Sequence, residues 1–175
     1  MRSTWEYSAR PPLRSSTPTL WRLRALRTYI DANVIYNFLF TTPLTARARE
    51  ILTSEDELSI SPISINEAVY VSFRKLARDK HGISNIYDVK KFLKTKEGSN
   101  LIETAFFMVL DLVEDAGIDV FPDESRAEII KEVASLYRLL PSDATILATC
   151  ILHGIPRIAT FDSDFEGIDV IEVVK

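Results

Sequence analysis

Hydrophobic and polar residues follow two rhythms along this chain. Short apolar runs that end in polar turns fall at 28–32, 58–60, 118–121, 157–160 and 169–173, and these predict strands. Between them apolar residues recur at helical spacing. A short apolar helix is expected over 34–40, stopped by Thr41-Thr42-Pro43, and a second over 44–52 bearing Arg47, Arg49 and Glu50. Over 64–78, Ile65, Ala68, Val69, Ser72, Phe73 and Leu76 share one helical face, and His81-Gly82 closes the helix. Residues 84–116 predict a helical pair split near Gly98-Ser99-Asn100. Pro122-Asp123-Glu124-Ser125 opens a further helix to about Leu140, and Pro141-Ser142 starts another that ends at His153-Gly154, with glycine in the usual C-terminal position. Strands alternating with helices over short links imply an α/β fold in three α/β/α layers, with a mostly parallel central sheet of about five strands.

The charge divides the chain in two. Residues 1–27 hold six arginines and one acid, Glu6; the remaining residues therefore keep 15 of the 21 basic and 24 of the 25 acidic groups, a net −9. An acidic body argues against nucleic-acid affinity through bulk charge. The first 27 residues, rich in Arg, Ser, Thr and Pro, are expected to be a disordered basic arm or a non-native extension, leaving one domain over 28–175. The single cysteine, Cys150, lies in an apolar helix, which excludes a disulfide framework and fits a reducing, cytoplasmic setting. No stretch approaches the roughly 20 apolar residues of a membrane span, so no membrane partner is expected.

Four acids stand out by their placement. Asp31 ends the first strand; Glu67 lies early in the 64–78 helix; Asp143 opens the helix Ala144, Ile146, Leu147, Ala148, Cys150, Ile151, Leu152; Asp162 follows the strand Ile158-Ala159-Thr160-Phe161. Each alone has a structural reading. Ser64-Ile65-Asn66-Glu67 matches a capping box, Asp31 could cap the next helix, Asp143 suits a helix dipole, and Asp162 could make an Asx-turn. Together they sit where strand carboxyl ends emerge, the side on which open α/β sheets bind ligands. Converging carboxylates cannot all ionise without a cation, and hard divalent ions take oxygen ligands.

These stretches resemble the motifs of PIN-domain nucleases. Tyr29-Ile30-Asp31-Ala32-Asn33-Val34-Ile35 is similar to the family's opening strand, and Ser61-Pro62-Ile63-Ser64-Ile65-Asn66-Glu67 to its second motif. Ser142-Asp143-Ala144-Thr145-Ile146-Leu147-Ala148 resembles the third, and Ile158-Ala159-Thr160-Phe161-Asp162-Ser163-Asp164-Phe165 the last. In size the chain looks most like VapC-type toxins of toxin–antitoxin pairs.

The resemblance implies a Mg²⁺- or Mn²⁺-dependent endoribonuclease. Asp31, Asp143 and Asp162 would hold the ion, with Asp164 as an outer contact and Glu67 completing the site, either orienting the attacking water or holding a second ion. Asn33 and Thr160 would fix the ligands, as outer partners of metal sites do. Arg74 and Arg78, on the face of Glu67, would touch phosphates flanking the cut, although a solvated helix face is the commoner role for such arginines. His81 and His153, beside glycines at helix ends, are expected in capping or surface roles. The expected partners are RNA, an antitoxin seated between the helices at 44–52 and 64–78, and a second copy in a homodimer. The competing readings are a PIN ribonuclease of RNA processing or quality control and a non-catalytic PIN-fold interaction module. A phosphatase using Asp31 is disfavoured because Asn33 replaces the second Asp of its Asp-x-Asp motif.

Overall fold

A computed structural model describes residues 26–175, so all but the last two residues of the expected basic arm lie outside the described residues. Among the described residues five strands form one sheet: β1 (Arg27–Ile30), β2 (Glu57–Ile60), β3 (Asp119–Val120), β4 (Arg157–Ala159) and β5 (Glu172–Val174). All pairings are parallel, in the order β3-β2-β1-β4-β5. Chain order runs outward from β1 through β2 to β3, then returns to β4 on the other side of β1. The connection therefore reverses direction between β1 and β4, and a crevice opens there at the strand carboxyl ends. Arg27, expected in the arm, begins β1 instead, pairing opposite Glu57 in register.

Seven helices among the described residues cover the sheet: α1 (Ala32–Leu39), α2 (Thr45–Leu52), α3 (Pro62–His81), α4 (Ile86–Phe92), α5 (Lys96–Asp115), α6 (Ala127–Tyr137) and α7 (Pro141–His153). Side chains on a strand alternate between faces, so neighbouring residues feed two different cores. Ile30 and Ala159 join the core beneath α1, α2, α3 and α5, while Tyr29 and Ile158 join the core beneath α6 and α7. This is the three-layer α/β/α arrangement that the alternating pattern predicts.

Several boundaries depart from expectation. The break between α4 and α5 falls at 93–95, ahead of Gly98. Thr95 caps α5 by accepting the Gly98 amide at 3.0 Å, and Gly98 lies so close under α4 that a Cβ there would meet the Phe92 carbonyl oxygen at 2.0 Å. α6 starts at Ala127 because the preceding residues are committed to a loop. The Glu124 amide donates to Thr149 Oγ1 at 2.9 Å, and the buried Glu124 carboxylate takes the Arg126 amide and guanidinium. Those bonds hold the Glu124 carboxyl down to about 2. α7 is buried along most of its length, but Ile151 and Leu152 in its last turn are exposed.

Candidate active site

The crevice between β1 and β4 is built around Asp31. It occupies the N-cap position of α1 with extended backbone, yet its side chain caps nothing. Its Oδ2 instead accepts the Thr160 hydroxyl at 2.6 Å and the Asn33 amide nitrogen at 2.7 Å. Asn33 Nδ2 also donates to Thr160 Oγ1 at 2.9 Å, and Asn33 Oδ1 accepts the Phe161 amide at 3.0 Å. Thr160 Oγ1 accepts the Asp162 amide at 3.0 Å as well. One donor and two acceptor sites are all that a hydroxyl has, and here every one is used. Asp31, at 7% exposure, and the fully buried Thr160 are thereby fixed.

The other acids arrive from neighbouring helix starts. Asp143 is in the first turn of α7 and half-buried, Glu67 is in the second turn of α3, and Asp162 and Asp164 are exposed beyond β4. Asp162 Oδ1 accepts the Asp164 amide at 3.1 Å, the expected Asx-turn. The capping box at Ser64 does not form. Helix α3 begins three residues earlier than that motif implies, with Pro62 at N1 and Ser61 at the cap. The Ser64 hydroxyl is buried against the Tyr29 hydroxyl at 2.8 Å, with Ser61 Oγ 2.6 Å from the same oxygen. Glu67 is thus released from any capping duty.

Charge repulsion shows that the acids share one field. Asp143 is pushed up to about 6, first by lost hydration and then by Asp31, Asp164 and Asp162. Glu67 is raised by partial burial and by Asp31, Asp143 and Asp162. Burial raises Asp31 too, against the hydrogen bond from Thr160 that favours its charged form, and Asp162 adds to the rise. Among the described residues, no Lys, Arg or His forms an ion pair with any of the five. An oxygen-only donor set, mutually repelled and without a basic partner, fits a hard divalent cation. Among the described residues no three acidic, His or Cys side chains form a ready-made metal cage.

A cleft of about 350 Å³ opens beside the acids, with Asn33 and Glu67 in its lining. Arg74 and Arg78 also line it, so α3 carries both an acid and the two expected cations along one face. Its opposite wall is α1, through Ala32 and Tyr36, and not the expected α2. Helix α2 instead turns Ala48, Ile51 and Leu52 into the core. Lys75, Tyr36 and Val71 are cleft residues that the sequence did not bring forward. The spacing from Glu67 to Val71, Arg74, Lys75 and Arg78 could have found the two on α3. Tyr36 carried no such signal. The histidines are elsewhere: the His81 ring packs 4.7 Å from Phe92, and His153 Nε2 lies 3.0 Å from the Pro122 carbonyl oxygen. Cys150 is buried, which pushes its thiol well above the usual range. No helix among the described residues is long and apolar enough to cross a membrane.

The model of the PIN domain family matches residues 28–171. The chain belongs to the PIN domain family. It is 35% identical over 131 residues to Ribonuclease VapC6 of Methanocaldococcus jannaschii, covering 67% of this chain and 76% of that protein. With Ribonuclease VapC2 of the same organism it shares 28% identity over 152 residues, 84% of this chain and 92% of that one. Among solved structures, Mycobacterium tuberculosis VapC20, described as a Sarcin-Ricin loop cleaving toxin, superposes with a TM-score of 0.54 at 16% identity. That match covers 85% of this chain and 99% of the other. A toxin–antitoxin complex from Klebsiella pneumoniae matches with a TM-score of 0.50 at 21% identity, covering 85% and 96%. At these identities the two structures bear on the fold, and they agree with the five-stranded parallel sheet.

Proposed function

We propose that this protein is a divalent-metal-dependent endoribonuclease and the toxin of a toxin–antitoxin pair, acting in the cytoplasm. The observation that carries the reading is the approach of Asp31, Glu67, Asp143 and Asp162 to one another at the β1–β4 crevice, where the first three are raised by burial first and by acidic neighbours second. Membership of the PIN family and the two relatives named ribonucleases support it.

Asp31, Asp143 and Asp162 would hold Mg²⁺ or Mn²⁺, with Asp164 as an outer contact. When bound, the ion would lower the pKa of a water and offset charge on the phosphoryl oxygens. The protein's own part is positioning. Asn33 and Thr160 both bond Asp31 Oδ2 and so hold the carboxylate in place without reorganisation during the reaction. Glu67, raised by partial burial and by its acidic neighbours, would either orient the attacking water and accept its proton or hold a second ion. Water is the natural nucleophile because no histidine or thiol stands at the site.

The antitoxin would neutralise the acids by presenting a basic side chain to the crevice. Cleavage of a mixed RNA pool with added Mn²⁺, wild type against Asp31→Ala, tests the enzyme. Metal-dependent cutting is expected in the wild type only, and cutting that persists in the variant refutes the site. Growth arrest on expression, relieved by Asp31→Ala, separates a toxin from a ribonuclease of RNA processing.

A further inference from the structure

We propose that the cleft beside the acids is a nucleotide subsite, in which Tyr36 stacks on an unpaired base next to the cut and Arg74 holds the adjoining phosphate. The inference rests on the ribonuclease reading above and adds the form of the substrate that the site accepts.

The cleft and the acidic crevice are continuous, because Asn33 and Glu67 belong to both. From Glu67 the α3 face continues through Val71 to Arg74, about 10 Å along the axis at 1.5 Å per residue. Arg74, Lys75 and Arg78 gather there, in a chain whose residues beyond the first 27 carry a net −9. This local reversal of sign faces the place where a polyanion must lie.

The three cations are not equivalent. Lys75 pairs with Asp79, and Arg78 Nε lies 3.7 Å from the same carboxylate. Arg74 has no acidic partner among the described residues. Its guanidinium lies 5.7 Å from the centre of the Tyr70 ring, and Nη2 reaches the Ser84 carbonyl oxygen at 3.5 Å. Braced by a ring and a loop, its remaining N–H groups can meet a phosphate in the paired geometry that guanidinium favours.

Tyr36 supplies the platform. It lies one helical turn after Asn33 on α1 and is half-buried. Its ring is propped by Phe40 at 5.1 Å with the planes tilted 40°. An aromatic fixed from behind and open to a cleft can stack any base with little loss of side-chain freedom. At about 350 Å³ the space is at the small end of ligand pockets, which run roughly 300–1,000 Å³, and so suits one splayed nucleotide rather than a duplex. Bases in a helix stay stacked on each other and cannot reach Tyr36.

Fluorescence anisotropy of a short labelled single strand and its duplex, in an Asp143→Asn background to prevent cutting, tests the subsite. Cleavage kinetics in Mn²⁺ on the otherwise wild-type chain complete the test. Tyr36→Leu is expected to weaken single-strand binding on the order of ten-fold, with duplex binding unchanged, while Tyr36→Phe keeps it. Arg74→Gln should weaken binding on the order of ten-fold and lower the salt slope by about one. In kinetics the loss should appear in KM, with kcat nearly unchanged. If wild type cuts RNA and both Tyr36→Leu and Arg74→Gln bind and cut as it does, the subsite is wrong and the ribonuclease reading stands. If nothing is cut but binding shows the Tyr36 and Arg74 dependence, the subsite stands and the cleavage reading falls. Loss of affinity for a protein segment, with RNA binding intact, assigns the cleft to a protein partner and overturns the proposal. A Tyr36→Leu variant that melts like the parent excludes misfolding as the cause.

Discussion

Thr160 and Asp31 are 129 residues apart in the chain and 2.6 Å apart in space, joined by a buried hydroxyl–carboxylate hydrogen bond. That bond ties the end of β4 to the end of β1 at the point where the sheet reverses its connection. The same hydroxyl holds the Asp162 amide, so one threonine sets the positions of two acids.

Thr160→Val keeps the shape and removes the bond. Its expected effect is a 10- to 100-fold loss in metal affinity or cleavage, the usual cost of losing an outer partner of a ligand. It also leaves the Asp162 amide without its acceptor, which costs about 1–2 kcal/mol, or a fall of about 2–8 °C in Tm. Calorimetry together with metal titration checks both. An unchanged metal affinity would show that the bond is structural alone.

Burial, and after it repulsion between the acids, makes the metal-free protein more stable when Asp143 takes up a proton. Asp143 has a folded pKa of about 6 against an ordinary 3.8, so the folded state binds the proton more tightly. Its stabilising contribution is complete below about pH 4 and is lost as pH rises through 6. In EDTA, wild type is expected to melt higher at pH 5 than at pH 8, and Asp143→Asn to narrow that gap. Discounted for the half-exposed position, the gain at pH 8 is about 1 kcal/mol, or about 2–4 °C. A variant that melts lower than wild type at pH 8 would mean that Asp143 stabilises the fold as a carboxylate.

Adding Mn²⁺ should reverse the penalty. Binding only to the folded state stabilises by mass action, about 2.7 kcal/mol when the ion is at 100 times its Kd. The rise in Tm should vanish in Asp31→Asn, whose carbonyl oxygen is neutral. An equal rise in that variant would place the ion elsewhere.

Gly98→Ala tests the junction of α4 and α5. The new Cβ would meet the Phe92 carbonyl oxygen at 2.0 Å, and backbone must move to admit it. The expected cost is at the upper end of the 1–3 kcal/mol typical of overpacking, read from urea midpoints. Phe92 lies nearly parallel to Phe73 of α3, 6.5 Å between ring centres, so strain here bears on the helix that carries Glu67. A neutral substitution would show that α4 is only loosely docked.

The sequence by itself determined the layers of this protein, and it pointed to the acids. Local periodicity dictates whether a segment can bury one face or two, so 28–30 and 158–159 could be read as strands feeding a parallel sheet. Asp31, Glu67, Asp143 and Asp162 were legible because each is placed against a strand end or helix start that the pattern itself marks. The tertiary structure alone decided the rest. Whether Ser64 caps a helix depends on where Tyr29 puts its hydroxyl, 35 residues away. The cleft wall is α1 rather than α2 because α2 spends its apolar face on the core, and Tyr36 gained a role only when α1 was set against α3. Contacts between distant segments leave no periodic trace, since spacing along a chain reports its own faces and not the surface that another element brings to meet them.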